Sequence, residues 1–142
     1  MNLHTYIAGT IQTKAYRLLR QEVVEVLSGY ELTPTYWSML GIIMESKDGI
    51  RQTDVAKHLQ VKPPLVTMMT RELQTRGLIV SVTNQFDARA KLLTTTPAGK
   101  KFVKTVEANL SKMLNNLLSG LTEADMVTYQ KVLTTIIANA EK

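Results

Sequence analysis

Cysteine is absent from this chain of 142 residues, which excludes disulfides, thiol catalysis, thiol-based redox sensing and thiolate metal sites. His4 and His58 are the only histidines, so a transition-metal site would lack its usual nitrogen ligands. We therefore expect neither a metal site nor a cofactor. The chain also lacks a Cys–His pair, a glycine-rich phosphate loop and a G-x-S-x-G elbow, so we expect a protein that is not an enzyme.

Long apolar runs are missing as well. The longest, at 39–44, is far shorter than the roughly 18 residues that a membrane-spanning helix needs. The first residues do not combine a charged stretch, an apolar segment and a small-residue cleavage site, so no signal peptide is indicated. We expect a cytoplasmic protein with no membrane partner.

Positive charge is concentrated in the middle of the chain. The net charge is +5, but residues 51–101 hold nine basic and three acidic side chains, and the remainder carries a net charge of −1. Basic charge confined to one region is typical of a surface that faces a polyanion.

Hydrophobic periodicity and helix-capping residues predict a mainly α-helical chain with one small β-hairpin, an α+β fold class. Helices are expected at about 3–28, 33–47, 52–59, 62–76, 97–119 and 122–140, and strands at 78–82 and 90–95 around a polar tip at 83–87. A short helix, a tight turn, a second helix ended by Gly77 and then a hairpin is the order of a winged helix-turn-helix.

The helix predicted at 62–76 has two different faces. At about 100° per residue, Val66, Met69 and Leu73 share one side, whereas the opposite side is small, polar or basic and carries Pro64, Thr67, Met68 and Arg71. That free side suits a major groove, in which a methionine can contact a thymine methyl. Lys62 can reach a phosphate or a guanine edge, and the N–H groups of the helix N-terminus favour phosphate. Thr67 and Arg71 are equally compatible with an ordinary solvent-facing surface.

Several motifs resemble the MarR family of winged helix-turn-helix transcriptional regulators. The strings QTDVAKHL (52–59), VKPPLVT (61–67) and LQTRGLI (73–79) look like its two helix-turn-helix helices. DARAK (87–91) followed by LTTTPAG (93–99) is similar to its wing signature, D-x-R-x-x followed by a strand, Thr and Gly. The resemblance extends over essentially the whole chain, including the long terminal helices.

The resemblance implies that Arg89 at the wing tip enters the minor groove, where narrow grooves attract arginine. Asp87 would then hold the guanidinium in a charge-assisted pair, and Lys91 would contact a phosphate. A plain surface salt bridge that steadies the hairpin is the alternative interpretation. We expect contacts to the DNA backbone from the residues at the start of the first helix of the pair, Arg51, Gln52 and Thr53. The chain departs from the family at Met68, where many members have a basic residue, and at Arg71-Glu72, where Asp-Arg is common.

The apolar pattern of the terminal helices predicts a homodimer. Their apolar stripes are too long for the small winged domain to bury, and exposed stripes call for a partner. The resemblance implies that these helices intertwine around a two-fold axis, which would place two winged domains on half-sites about one DNA turn apart. We assign 1–32 and 97–142 to dimerisation and 33–96 to DNA binding. The alternative is that part of the last helix folds back on its own domain.

Regulation in this family usually involves a small, often aromatic, ligand between the dimer helices and the winged domain. A pocket for an aromatic or phenolic effector could be lined by Tyr16, Arg17, Tyr36, Trp37 and Met39, although aromatic residues on helices more often belong to the core. The sequence thus predicts a homodimeric regulator, acting as a repressor, that binds double-stranded DNA at a pseudo-palindromic operator and is released by a ligand. The alternative function is a winged-helix module for protein interaction or RNA binding, without operator specificity.

Overall fold

The structure is a computed structural model that describes residues 2–142. The chain divides into two compact units, of which the first ends at Leu110 and the second comprises Ser111–Lys142. Its helices are α1 (Leu3–Tyr6), a π-helical segment (Ile7–Ile11), α2 (Gln12–Ser28), α3 (Pro34–Glu45), α4 (Gln52–Leu59), α5 (Pro63–Thr75), α6 (Pro97–Leu117) and α7 (Glu123–Ala140); its strands are β1 (Ile79–Asn84) and β2 (Asp87–Thr95). This element order confirms the predicted winged helix-turn-helix fold class.

Helix starts follow the capping chemistry that the sequence displays. The Thr33 hydroxyl accepts the Tyr36 N–H at 3.3 Å, and Pro34 occupies the first helical position, where an N–H is not needed. In the second unit, Thr122 and Asp125 form a reciprocal capping box at the start of α7. Hydrogen bonds from Thr122 lower the pKa of the Asp125 carboxyl. Local sequence therefore determines where these helices begin.

The core of the first unit lies between α2, α3, α4, α5, the hairpin and the first part of α6. Its fully buried side chains are Leu27, Met39, Leu40, Ile43, Val55, Val66, Met69, Leu73, Leu93 and Val106. Most of them occupy positions where helical periodicity predicted an inward face, because burial of one apolar stripe per helix supplies most of the packing free energy. The second unit has no buried residue among its described positions.

The N-terminal helix differs from the uninterrupted helix predicted at 3–28. Residues Ile7–Ile11 form a π-helical segment between α1 and α2. Gly9 lies within this segment, and the Thr13 hydroxyl donates to the Gly9 carbonyl oxygen at 3.1 Å. A glycine has low helix propensity, and a hydroxyl that bonds a backbone carbonyl competes with the regular i to i−4 backbone hydrogen bonds. Both features favour the wider turn.

The hairpin is longer and its tip tighter than predicted. β1 and β2 are antiparallel, and the register passes from Thr83 opposite Lys91 to Asn84 opposite Asp87, which places a bulge in β2 next to the tip. Only Gln85 and Phe86 connect the strands, whereas we predicted a tip at 83–87. The polar residues at 83–87 predicted a loop, but side chains at the end of an exposed hairpin are polar whether or not the backbone is paired.

In the part of the chain that the structure describes, no helix is long and apolar enough to cross a membrane.

Candidate nucleic-acid interface

Helices α4 and α5 form the helix-turn-helix. The chain reverses at Gln60, which adopts the left-handed conformation (φ 54°), and the Val61 N–H donates to the Ala56 carbonyl at 3.1 Å. Val55 and Ala56 are buried and fix α4 to the core. The turn therefore presents α5 at a set angle without a glycine.

Helix α5 has the two faces that its sequence predicts. Val66, Met69 and Leu73 are at most 1% exposed, whereas the predicted reading face is open to solvent at Lys62, Pro64, Thr67, Met68 and Arg71. Met68 is 57% exposed and is available on this face for contact with a thymine methyl. This face is long enough and polar enough to lie in a major groove.

Thr67 and Gln52 come together on that surface. The Thr67 hydroxyl lies 3.2 Å from the Gln52 Oε1 and also 3.2 Å from the Pro63 carbonyl oxygen, so its proton has two acceptors within the protein. The structure thus places a predicted base-contacting residue beside a predicted backbone-contacting residue. A base that used this hydroxyl as a donor would have to displace one of these bonds.

The α5 N-terminus does not supply the N–H groups that we expected it to offer to phosphate. Its first two positions are Pro63 and Pro64, which have no N–H, and the Leu65 N–H donates to the Lys62 carbonyl at 3.1 Å. The expectation assumed the free N–H groups of an ordinary helix N-terminus, although the two prolines that remove them are visible in the sequence.

The start of α4 offers free backbone N–H groups, which the start of α5 lacks. Arg51 provides no side-chain cap, and the N–H groups of Asp54 and Val55 both donate to its carbonyl. Within residues 2–142, the Gln52 and Thr53 N–H groups have no hydrogen-bond acceptor. Since unsatisfied N–H groups at a helix N-terminus attract anions, this geometry fits the phosphate contacts predicted for Arg51, Gln52 and Thr53.

The wing tip carries charge and one uncovered aromatic ring. Asp87, Arg89 and Lys91 are exposed, as predicted. The Asp87 carboxylate accepts the backbone N–H of Arg89 at 3.0 Å, whereas the predicted ion pair with the Arg89 guanidinium does not form: across residues 2–142 the only ion pair is Lys57–Asp54, at 3.9 Å. An aspartate commonly accepts the N–H two residues further along the chain, which explains the difference. Asp87 therefore shapes the turn and leaves the guanidinium available.

Phe86 was not among the residues predicted for the interface. Its side chain is 90% exposed at the apex of the hairpin. The signal was present, since Phe86 is the only apolar residue in the polar stretch 83–87.

Arg76 anchors the C-terminal end of α5, a role that the sequence did not reveal. Its guanidinium donates to the carbonyl oxygens of Tyr30 and Glu31 at 2.8 and 3.0 Å and lies 5.4 Å from the Phe102 ring centroid. The Phe102 ring in turn meets Tyr30 edge to face, at 5.9 Å, and the Asn109 side-chain amide donates to the Tyr30 hydroxyl. This arrangement, which we call the Arg76 anchor, ties α5 to the end of α2 and to the first part of α6.

Two further contacts fix α5 along its length. The Gln74 amide donates to the Ser81 hydroxyl of β1 at 3.1 Å. On the opposite side, the Tyr36 hydroxyl donates to the Glu72 carboxylate. Burial raises the pKa of Tyr36 to about 12, together with the hydrogen bond and the negative charge of Glu72, while Arg76 acts in the opposite direction. The neutral, donating form of Tyr36 is therefore the stable form in the folded protein.

The five residues predicted to line an effector pocket do not form one cavity in the single chain. Tyr16 and Arg17 are exposed, Tyr36 and Trp37 are half-buried, and Met39 is fully buried. Met39 is a correction, because it lies on the inward face of α3 between other core residues and lines no accessible surface. The other four remain candidates.

Comparison with known proteins agrees with this geometry. The family model described as MarR family matches residues 30–90. The transcriptional regulator PA3341 superposes with a TM-score of 0.78 at 28% identity, over 94% of this chain and 97% of its own. MepR of Staphylococcus aureus in complex with DNA superposes with a TM-score of 0.72 at 25% identity, over 98% of this chain and 99% of its own. CouR from Rhodococcus jostii RHA1, solved with p-coumaroyl-CoA, superposes with a TM-score of 0.77 at 21% identity, over 92% of this chain and 93% of its own.

These similarities extend beyond the winged domain to the terminal helices, and the proteins they identify are transcriptional regulators rather than enzymes. They confirm the fold class predicted from the order of helices and strands, and they agree with the expectation of a regulator rather than an enzyme. Residues 30–90 are thus similar to the MarR family, and the whole chain shares the fold of solved transcriptional regulators.

Proposed function

We propose that this protein is a homodimeric repressor that binds a pseudo-palindromic operator in double-stranded DNA. The observation that carries the proposal is the exposed face of α5, with Lys62, Met68 and Arg71, followed directly in the chain by a hairpin with exposed Arg89 and Lys91. A helix that is polar on its free side, next to a hairpin with available cations, matches a major groove and the adjacent minor groove. MepR, which has the same fold and 25% identity, has been solved with DNA.

Charge supports a polyanionic ligand for this surface. Among the described residues, no carboxylate lies within 4.0 Å of Lys62, Arg71, Arg89 or Lys91. Cations that are not neutralised within the protein can release counterions from DNA on binding, which supplies most of the sequence-independent affinity. Base contacts by Thr67, Met68 and Arg71 then supply specificity, and Pro64 packs against the groove wall.

Uncovered apolar side chains support dimerisation through 1–32 and 97–142. In the N-terminal helical segments, Leu3, Ile7 and Ile11 are 67%, 43% and 47% exposed, and in α7 Val127 and Ile137 are 62% and 54% exposed. Water contact with so many large apolar residues on helices is unfavourable, at roughly 25 cal/mol for each Å² of apolar surface. A second copy of the chain provides matching stripes and a closed two-fold assembly.

Such a dimer would present the two 33–96 domains to half-sites about 34 Å apart along one side of the DNA. Occupied sites of this size exclude other proteins from the same stretch of duplex, which is the basis for a repressor role. Release would follow from an aromatic or phenolic effector that binds near Tyr16, Arg17, Tyr36 and Trp37 and favours a different spacing of the domains. CouR, with the same fold, has been solved with p-coumaroyl-CoA.

Selection of bound fragments from random double-stranded DNA, followed by sequencing, tests the proposal. We expect an inverted repeat with half-site centres separated by about 10 base pairs, and sedimentation velocity should give a mass twice that of the single chain. A matched RNA duplex and heparin serve as competitors over a salt titration, because specific binding persists above a steeply salt-dependent background. A monomer that binds all three polyanions equally, or a protein that binds RNA alone, would refute the proposal.

A further inference from the structure

We propose that Phe86 is a wedge that enters the minor groove beside Arg89 and inserts its ring between adjacent base pairs. This inference rests on the proposed DNA-binding function and adds an apolar contact to it. Phe86 is 90% exposed, whereas the next most exposed large hydrophobic residue, Leu3, is 67% exposed. Leu3 belongs to an apolar stripe along a helix, while Phe86 is isolated among polar neighbours at 83–87.

The backbone on both sides of Phe86 is held in place although its ring contacts no core. Asn84 and Asp87 pair across the strands, so only two residues form the turn. The Asn84 side chain accepts the Phe86 N–H at 2.9 Å, and the Asp87 carboxylate accepts the Arg89 N–H at 3.0 Å. Side-chain oxygens that accept backbone N–H groups stabilise tight turns. The backbone of Phe86 is thus held at the apex while its side chain remains 90% exposed.

The dimensions and chemistry of the tip fit a minor groove. The minor groove of B-DNA is about 6 Å wide, which is too narrow for a helix about 10 Å across but admits single side chains from the end of a two-residue turn. Arg89 and Lys91 are exposed on the same hairpin and can hold it against the phosphates. Apolar side chains that lead such a basic element into the minor groove unstack base steps and kink the duplex.

The wedge provides specificity without a base-edge hydrogen bond. Unstacking costs least at flexible pyrimidine–purine steps such as TA and CA. A protein that must open one step per half-site therefore prefers duplexes with such a step where the wing lands, even though Phe86 reads no donor or acceptor. This preference is distinct from the sequence that α5 reads in the major groove.

Fluorescence of 2-aminopurine, placed at each step of the minor-groove segment of the selected duplex, reports unstacking directly. We compare the full-length protein with Phe86→Ala and with Phe86→Leu, which keeps an apolar wedge. Val80→Ala is the matched control, since Val80 is an exposed apolar residue (44%) of the same hairpin away from the apex. Thermal unfolding checks that every variant is folded.

We expect fluorescence to rise at one step per half-site with the wild-type protein and to stay near the free-duplex value with Phe86→Ala. The alanine variant should bind about 10-fold more weakly, a loss within the range for aromatic–base stacking, with Phe86→Leu in between and Val80→Ala unchanged. Operator binding without any unstacking signal overturns the wedge but leaves the proposed function intact. The wedge is also overturned if Val80→Ala loses as much DNA affinity as Phe86→Ala, or if Phe86→Ala abolishes self-association of the protein. If no duplex is selected, the proposed function fails and the wedge fails with it.

Discussion

Helix α5 and the hairpin tip belong to the same candidate interface but are held by the protein in opposite ways. Helix α5 buries Val66, Met69 and Leu73 and is tied at its C-terminal end by the Arg76 anchor. The tip beyond Thr83 and Lys91 has no buried side chain among its described positions and is shaped by local hydrogen bonds to Asn84 and Asp87. A surface that reads base edges must arrive pre-oriented, whereas one that follows groove shape can adjust on contact.

This contrast predicts that substitutions at the base of α5 act on stability, while substitutions at the tip act on DNA binding and leave stability unchanged. Residues of the first kind are buried or make several contacts within the protein, so their loss destabilises the native state. Residues of the second kind contact mainly solvent in the single chain.

Gly99→Ala should produce the largest effect. A Cβ at this position of α6 would lie 2.0 Å from the Leu78 carbonyl oxygen, where α5 joins β1, and 2.8 Å from the Thr95 methyl. Because the nearest obstacle is backbone, we expect the free energy of unfolding to fall by about 3 kcal/mol or more. Urea denaturation measures the change, with Gly41→Ala as control, since a Cβ there meets nothing within 4 Å. Equal stability of the two variants would contradict the close approach of α6 to Leu78.

Arg76→Met should rank second and tests the anchor of α5. Methionine keeps most of the aliphatic stem but removes the bonds to the Tyr30 and Glu31 carbonyls, and hydrogen bonds to charged groups are worth about 1.5–3 kcal/mol. We expect a loss of about 2 kcal/mol in unfolding free energy. Arg71→Met on the exposed face of the same helix is the control and should change stability by less than about 0.5 kcal/mol. Similar losses in both variants would show that the anchor contributes nothing specific.

Arg89→Ala should leave stability unchanged and weaken operator binding by about 1–3 kcal/mol. The reason is that its guanidinium makes no hydrogen bond or ion pair within residues 2–142, where only its backbone N–H is engaged. Fluorescence anisotropy with the selected duplex measures the affinity, and Arg89→Lys separates charge from guanidinium shape. Wild-type affinity in the alanine variant would remove the wing arginine from the mechanism.

Tyr36→Phe should have the smallest effect, which is a change in how stability depends on pH in the alkaline range. Burial and the contact with Glu72 raise the pKa of Tyr36 from 10.0 to about 12. The folded state therefore keeps this proton after the unfolded chain has lost it. The associated stability is fully present below pH 10 and is lost as the pH rises towards 12.

Denaturation of the wild-type and phenylalanine proteins between pH 9 and pH 12 should show a steeper decline for the wild type across that window. Tyr129→Phe is a suitable control, because Tyr129 is 49% exposed on α7. Parallel curves for the wild type and Tyr36→Phe would mean that the contact with Glu72 does not persist in solution.

Much of the candidate interface could be predicted from the sequence because it depends on local patterns. The periodicity at 62–76 separated Val66 and Leu73 from Thr67 and Met68, and DARAK marked the hairpin. The Arg76 anchor could not be predicted in this way. Arg76 and its partner Glu31 are 45 residues apart in the chain, and no local pattern of one element indicates which carbonyl oxygens it will meet. The Asp87 error has a different origin, because its bond to the Arg89 N–H spans only two residues and is a local alternative to the expected ion pair.

The sequence by itself determined the order of the helices and strands, the inward face of α5, where positive charge is concentrated and which family the wing motif resembles. These properties arise from spacings of three or four residues and from single capping side chains, so a short window contains their causes. Only the tertiary structure decided that Arg76 fixes α5 through the carbonyl oxygens of Tyr30 and Glu31, and that no other segment covers Phe86 at the tip. Such features depend on how distant backbone segments approach one another, and many sequences with the same local pattern would place them differently.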